Sequence, residues 1–311
     1  MTAAPIALFV YSRPLHTRKT VEALLKNVLS QDSDLFIFSD APKTEAQTEA
    51  VNEVRQYIRG IVGFKNVTIV ERETNFGLAR SIIDGVTRLC EMYGRAIVLE
   101  DDLVTSPHFL RFMNDALDMY EHEGRVMHIS GSTYPVGEIG EETFFLRVPL
   151  CWGWATWSRA WQHFGKSDDV MLKFDQKMRR DFTFNNSYHF WEQLESNKSR
   201  IIDTWFVYWY ATLFMENGLA LFPGRTLVKN IGFDGTGVHC ESNYLGKDIE
   251  PAISAIRISP ILIEESKEAV IRHESFFRKD YRPPSSIHTN IFRDAFRIIG
   301  KLARFIRPAK K

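Results

Sequence analysis

The chain has 311 residues, of which 44% are hydrophobic and 25% charged, the balance of a globular protein with a sizeable core. Lys and Arg number 39, as do Asp and Glu, so no net field draws the protein to nucleic acid. Cys90, Cys151 and Cys240 are scattered and odd in number, which argues against a disulfide framework and for a reducing compartment.

The first residues lack the basic-then-apolar pattern of a signal peptide, and no apolar run approaches the ~20 residues of a membrane span. Short β-type runs follow at 6–12 (IALFVYS), 34–40 (DLFIFSD), 66–72 (NVTIVER) and 95–101 (RAIVLED). Between them, segments 16–29, 44–61 and 77–94 carry apolar residues at helical spacing, the last ending at Gly94. Strand–helix alternation of this kind predicts a mainly parallel sheet covered on both faces. Ser106 is the expected N-cap of the next helix, followed by RVMHIS and TFFLRV. From about Cys151 the texture becomes aromatic-rich, irregular and helical. No internal repeat appears, and the two halves are expected to share one core.

The run AIVLEDDLVTSPHF places Glu100, Asp101 and Asp102 directly after a strand. Ligands of open α/β sheets bind beyond the carboxyl ends of strands. Hard oxygen donors there suit Mg²⁺ or Mn²⁺, whose charge would relieve the carboxylate repulsion. The competing reading is a solvated acidic turn. Arg13 follows the first strand and Asp40 the second, on the same expected rim. Taken singly each is a helix-entry or turn residue; together an arginine for phosphate and an acid for base or ribose make a nucleotide-diphosphate site.

The end of the chain differs in kind. DYRPPSSIHT reads as a linker, and in 290–311 Ile291, Phe292, Phe296, Ile299 and Leu302 share one helical arc while Arg293, Arg297, Lys301 and Arg304 share the other. Such a helix suits an anionic membrane surface. The alternative is a helix packed on the domain or at a dimer contact.

These motifs resemble the N-acetylglucosaminyltransferase I family and its bacterial relatives, metal-dependent transferases of the GT-A fold. The likeness covers most of residues 5–240. It rests on IALFVYSRPLHTRKTVEALL, FSDAPKTEAQ, NFGLARSIIDGV with AIVLEDDLVTSPHFLRFM (the most specific match), PLCWGWATWSRAW, and the segment from IDTWFVYWY to GTGVHC. The resemblance implies a GT-A domain over 1–240, its nucleotide half about 1–130 and its acceptor half about 131–240. An extension and linker would occupy 241–287 and the basic helix 288–311.

It further implies a nucleotide-sugar donor, UDP-linked, a glycan or lipid-linked acceptor, a divalent cation and inversion at the anomeric carbon. Asp102 would hold the metal, Asp101 and Glu100 the donor, and Arg13 and Asp40 the nucleotide. Asp203 would be the base. The family carries its acid immediately before the tryptophan, whereas here Thr204 has that place, and an N-cap role for Asp203 competes. His239 stands in a glycine-rich loop, as a metal or diphosphate contact or as a satisfied loop histidine. Trp152 and Trp154, with Gly153 letting backbone approach a ligand, are assigned to the donor side, and Trp157 and Trp161 to the core. A cytoplasmic enzyme, peripheral on the inner membrane face and serving surface-polysaccharide synthesis, is the resulting expectation. A nucleotidyltransferase would need a glycine-rich phosphate loop, and VYSRPLHTRKT has no glycine. A non-catalytic sugar- or lipid-binding protein would not need both acidic motifs.

Overall fold

The computed structural model describes residues 3–137, 139–234 and 249–279. The first half alternates as expected. Strands β1 (Ile6–Val10), β2 (Asp34–Ser39), β3 (Asn66–Glu71) and β4 (Arg95–Glu100) are separated by helices α1 (Pro14–Leu25), α2 (Thr48–Ile58) and α3 (Leu78–Tyr93). Then come β5 (Leu103–Thr105), α4 (Phe109–Met119), β6 (Val126–Ser130), β7 (Thr143–Leu146), β8 (Trp154–Trp157) and α5 (Ser158–Trp161). Helices α6 (Gln176–Phe182), α7 (Phe190–Lys198) and α8 (Phe206–Met215), strands β9 (Leu219–Pro223) and β10 (Val228–Asn230), and helix α9 (Lys267–Lys279) complete the described order.

Eight strands form one sheet in the order β3-β2-β1-β4-β8-β6-β9-β7. The pairs β3/β2, β2/β1, β1/β4 and β6/β9 are parallel, and β8 and β7 run against their neighbours. The sheet is therefore mainly parallel, as expected. All five residues of β1 are buried, because helices cover both faces. Ile6, Leu8 and Val10 pack with residues of α1, α2 and α4, while Ala7 and Phe9 pack with α3 and the aromatic helices of the second half. One sheet thus carries both halves of the chain, with a core on each side.

Several boundaries move. The four expected strands each end one or two residues early, so Asp40 and Asp101 join Arg13 in the loops at the sheet's carboxyl edge. Ser106 is not the N-cap of α4; His108 is, and the Ser106 hydroxyl instead donates to Ala252 O at 2.6 Å. Residues 249–279, expected as extension and linker, pack on the domain. Glu265 bridges to Phe145, and Ala269, His273, Phe276 and Phe277 of α9 are buried. The linker DYRPPSSIHT and the basic tail lie outside the described residues.

Two histidines sit in these cores. His128 is fully buried, with Nδ1 accepting from Trp209 Nε1 at 3.1 Å and Nε2 3.1 Å from Leu150 O. Burial pushes its pKa down to about 3. His273 lies among Tyr134, Phe144, Phe222 and Phe277, with Nδ1 2.7 Å from Ala269 O and Nε2 without a hydrogen-bond partner among the described residues. Burial brings its pKa down to about 4. A lowered histidine pKa means that the unfolded chain takes the proton first. The stability is full above about pH 6.5 and is lost as pH falls toward 4. We expect His273→Leu, which removes an unsatisfied polar atom, to gain on wild type as pH drops below about 6.5, by up to ~1.4 kcal/mol per unit. Urea titrations at a series of pH values read the difference. A constant difference across that range contradicts a buried neutral imidazole.

Candidate active site

Arg13 stands between β1 and α1, where Pro14 at the first helical turn forces the chain out of the strand. Its backbone is not helical (φ −122°, ψ 79°) and its side chain caps nothing, so the guanidinium is free to cross to the end of β4. There Nη2 donates to Asp101 Oδ1 at 2.8 Å and to Asp102 Oδ2 at 2.6 Å. Tyr11 N–H donates to Asp101 Oδ2 at 3.3 Å, and the Thr20 hydroxyl to Asp101 O at 2.9 Å. From the other side, β10 pairs with β5, and Ile231 N–H donates to Asp102 O at 2.9 Å. Gly232 follows so tightly that a Cβ there would lie 2.2 Å from Asp102 Oδ2. Only glycine fits against that carboxylate.

The three acids are therefore not a solvated turn. Asp101 and Asp102 are buried, and their charge is met by a guanidinium. The balance is incomplete. Burial first, then Asp102 and Asp101, push Glu100 up to about 8 against the pull of Arg13. Burial likewise raises Asp101 although Arg13 opposes it. Burial disfavours the charge on Arg13, yet Asp101 and Asp102 outweigh it and hold the guanidinium above its ordinary value. One cation faces three carboxyls. In addition, Arg13 Nη1 is buried with no hydrogen-bond partner among the described residues.

Those two deficits test the fit of a divalent cation. Asp101 and Asp102 offer hard oxygens short of positive charge, and Arg13 Nη1 lacks an acceptor such as a phosphate oxygen. Among the described residues no three His, Cys, Asp or Glu side chains form a complete metal cage. Mg²⁺ at a phosphate site needs only one or two carboxylates, taking its other ligands from water and phosphate. The residues fit.

Asp40 behaves differently from its expected contact with base or ribose. Oδ1 accepts from Ala41 N at 2.9 Å and Phe76 N at 2.8 Å, and Oδ2 from Gly77 N at 2.9 Å and Asn75 Nδ2 at 3.1 Å. A carboxylate has about four lone-pair sites, and all are spent. Asp40 pins the loop entering α3. Gly153 and Trp154 also depart from expectation. Gly153 has φ 65°, and a Cβ there would press on Val228 at 2.9 Å and Phe109 at 3.0 Å, so it serves packing rather than a ligand. Trp154 is buried, stacked on His128 at 5.2 Å and on Trp205 at 5.1 Å, and presents no face to a sugar. Trp152 is half-buried near Phe233, on the segment that follows β10. His16 Nε2 lies 3.0 Å from Asp234 Oδ2 on that same segment. His239 lies outside the described residues.

Trp154 pairs with Val98 near the carboxyl end of β4, and its stack on Trp205 brings the start of α8 to the same end of the sheet. Asp203 lies just before. It is not the cap of α8, whose N-cap position is Trp205 without a side-chain bond. Its side chain is 74% exposed, ion-paired to Lys166, and lines a cavity of about 440 Å³ with Lys166, Asp168, Asn197, Arg200 and Tyr208. Asn197 holds the loop: its amide donates to Thr204 Oγ1 at 3.0 Å and accepts from Thr204 N at 2.8 Å. The Tyr208 hydroxyl donates to Asp168 Oδ1 at 2.5 Å; burial and then Asp168 push its pKa up. Glu192 and Glu195 are turned to His189 and Trp191 on α7.

Sequence reasoning missed Tyr11, Thr20, Gly232, Lys166, Asp168 and Tyr208. Tyr11 and Thr20 flank Arg13 at positions two before and seven after, the one signal that was available. The others come from distant segments.

The sequence matches no protein-family model and no curated protein. Among solved structures it is similar to S. aureus TarS, at 12% identity and TM-score 0.35, covering 56% of this chain and 31% of that one. It is also similar to S. aureus TarS 1–349 in complex with UDP-GlcNAc, at 8% identity and TM-score 0.40, covering 72% and 57%. A third is the mannosyltransferase PcManGT from Pyrobaculum calidifontis in complex with GDP-Man and Mn²⁺, at 10% identity and TM-score 0.39, covering 69% of each chain. The chain thus spans 31% of the TarS chain. Overlap this partial transfers no chemistry.

Replacing Arg13 by Met leaves buried carboxylates without their counter-charge, a change that costs about 3–5 kcal/mol for a buried pair. We expect the variant to melt several degrees below wild type, and millimolar Mn²⁺ to raise its melting temperature more than that of wild type. Thermal melts with and without Mn²⁺ measure both. An unaltered melting temperature, or no Mn²⁺ effect on either protein, contradicts the charge balance described.

Proposed function

We propose that the chain is a glycosyltransferase that moves a sugar from a nucleotide-diphosphate donor, UDP-linked, to a hydroxyl of a glycan or lipid-linked acceptor, with inversion and with Mn²⁺ or Mg²⁺. The observation that carries this reading is the unbalanced cluster at the carboxyl ends of β1 and β4. Among the described residues it is short of one cation beside Asp101 and Asp102 and of one acceptor beside Arg13 Nη1, and a diphosphate with its divalent cation would supply both. The motif resemblance to N-acetylglucosaminyltransferase I relatives supports the same donor class.

Asp101 and Asp102 would hold the cation, which supplies Lewis-acid stabilisation of charge on the departing diphosphate. Arg13 adds a charged donor to the phosphate oxygens. Tyr11 N–H, Thr20 and Gly232 keep the two carboxylates in place, so little reorganisation is needed when charge develops. Trp152 and the Asp40-held loop at 75–77 flank the donor side. Asp203 accepts the proton of the attacking hydroxyl as its oxygen bonds to the anomeric carbon and the bond to the diphosphate breaks. One base and one displacement give inversion.

Among the described residues no helix is long and apolar enough to cross a membrane. The basic amphipathic pattern of 290–311 supports docking on an anionic membrane surface, on the cytoplasmic face, where a lipid-linked acceptor would be met. Deleting 288–311 should abolish co-sedimentation with anionic liposomes, and binding that survives the deletion removes the tail from the account.

Two variants separate the roles. Asp102→Asn should lose metal-dependent donor binding and most nucleotide release. Asp203→Asn should lower transfer by roughly 10²-fold or more while donor affinity stays near wild type. Release of nucleotide from a panel of nucleotide sugars with Mn²⁺, and donor titrations by calorimetry, read both. Full activity of Asp102→Asn in Mn²⁺ and in EDTA alike would falsify the metal role, and loss of donor affinity in Asp203→Asn the base role.

A further inference from the structure

The cavity beside Asp203 carries a charge excess that the transfer step does not use. Three cations line it, Lys166, Lys198 and Arg200, against two carboxylates, Asp168 and Asp203. Lys166 is spent on Asp203, and Asp168 is engaged by the Tyr208 hydroxyl. Lys198 and Arg200 have no ion-pair partner among the described residues. At about 440 Å³ the space falls in the usual range of small-molecule sites, about 300–1,000 Å³.

Backbone geometry adds an independent observation. Helix α7 ends at Lys198 with Ser199 as its C-cap, and the next residue turns the chain through the left-handed region. Arg200 N–H donates to Asn197 O and Ile201 N–H to Ser196 O, both at 2.9 Å, closing that turn. Glycine or asparagine is the unstrained choice at this place. Here an arginine is held at φ 56°. A strained, charged residue at the mouth of a cavity is the pattern of a functional position rather than of a helix stop. Lys198 alone would be accounted for by the helix dipole; Arg200 would not.

We propose that this cavity is the acceptor subsite and that its ligand is an anionic saccharide, one bearing a carboxylate or a phosphate seated on Lys198 and Arg200. The assignment as acceptor rests on the transferase reading above; the binding itself does not. With its charge on those two residues, the saccharide lies along Tyr208 with a hydroxyl toward Asp203, and Asn197 holds that carboxylate's loop in place. Neutral sugars lack the anchoring group and bind weakly.

Binding of three probes to the full chain, without donor, tests this by calorimetry or saturation-transfer NMR. The probes are methyl glucuronoside for a carboxylate, glucose 1-phosphate for a phosphate, and methyl glucoside as the neutral control. At least one charged probe should bind about tenfold more tightly than the neutral one, the combined effect expected of two exposed cations. Carboxylate preference identifies an acidic glycan, and phosphate preference an acceptor on a phosphate-bearing carrier. The doubly substituted Lys198→Gln, Arg200→Gly protein should lose that preference. Arg200→Gly alone should melt no lower than wild type, since glycine relieves the left-handed turn, which separates lost charge from lost fold. Equal affinity for charged and neutral sugars overturns the proposal, as does preference retained in the double variant or displacement of the charged probe by UDP with Mn²⁺. Nucleotide release is scored separately, so a chain that binds the anionic sugar yet consumes no donor refutes the transferase reading and leaves the site standing.

Discussion

Buried like charge at the end of β4 is the constraint around which the carboxyl edge of the sheet is built. Two carboxylates at that depth cannot both ionise cheaply unless a cation stands beside them. Arg13 is that cation, and its position dictates much else. Strand β1 has to stop at Val10, and Pro14 has to turn the chain so that the guanidinium crosses to the neighbouring strand. On the far side, β10 has to pair with β5 so that Ile231 and Gly232 close over Asp102 without a side chain between. The parallel pairing of β1 with β4 makes these distances possible, because both strands then end at one edge.

Away from that edge the molecule uses a different physics. The face of the sheet opposite α1 and α2 is packed with aromatic rings: Trp154 on Trp205, Trp161 on Phe164, and Phe182 on Tyr210. Rings of this size bury much area with little side-chain entropy to lose, so they make a stiff base. The neutral His128 stacks on Trp154 and links Trp209 to the Leu150 carbonyl. The segment 197–208 rides on this base through Trp205, and its polar side chains face the cavity. Rigidity and chemistry are thus assigned to different residues of one short stretch.

How much of this was legible follows from the range of each interaction. Strand–helix alternation is local, so β1 to β4 and their helices could be read from periodicity, and Glu100 to Asp102 with Arg13 followed from the rule that strand ends carry sites. Roles set by contact between distant segments were hidden. Nothing near Asp40 announces that residues 75–77, with Ala41 N, fill all its lone pairs. The Gly153 between two tryptophans reads as a ligand approach, and only the proximity of Val228 and Phe109 shows that it is a packing device. Periodicity likewise could not show that the extension at 249–279 packs on the domain through Glu265 and α9. Asp203 stands out in the sequence by its motif, whereas its ion-pair partner Lys166 lies in an irregular segment with no pattern of its own.

The two polar regions have opposite electrostatic demands, and that opposition bears on how one site would handle two ligands. The cluster at β4 is short of positive charge, whereas the cavity beside Asp203 holds more positive charge than it spends. A nucleotide diphosphate brings negative charge of its own, so by itself it would aggravate the first deficit; together with a divalent cation it relieves it. An anionic acceptor approaching such a donor would be repelled over the short distance that bond formation requires. On the proposed reading Lys198 and Arg200, unpaired among the described residues, would offset that repulsion at the acceptor's far end and leave its hydroxyl to meet Asp203. Lys166, held on Asp203, keeps the carboxylate from adding its full charge to the repulsion. On that reading the charges in the cavity would do what Arg13 does at the strand ends, letting like charges come close where the chemistry needs them close.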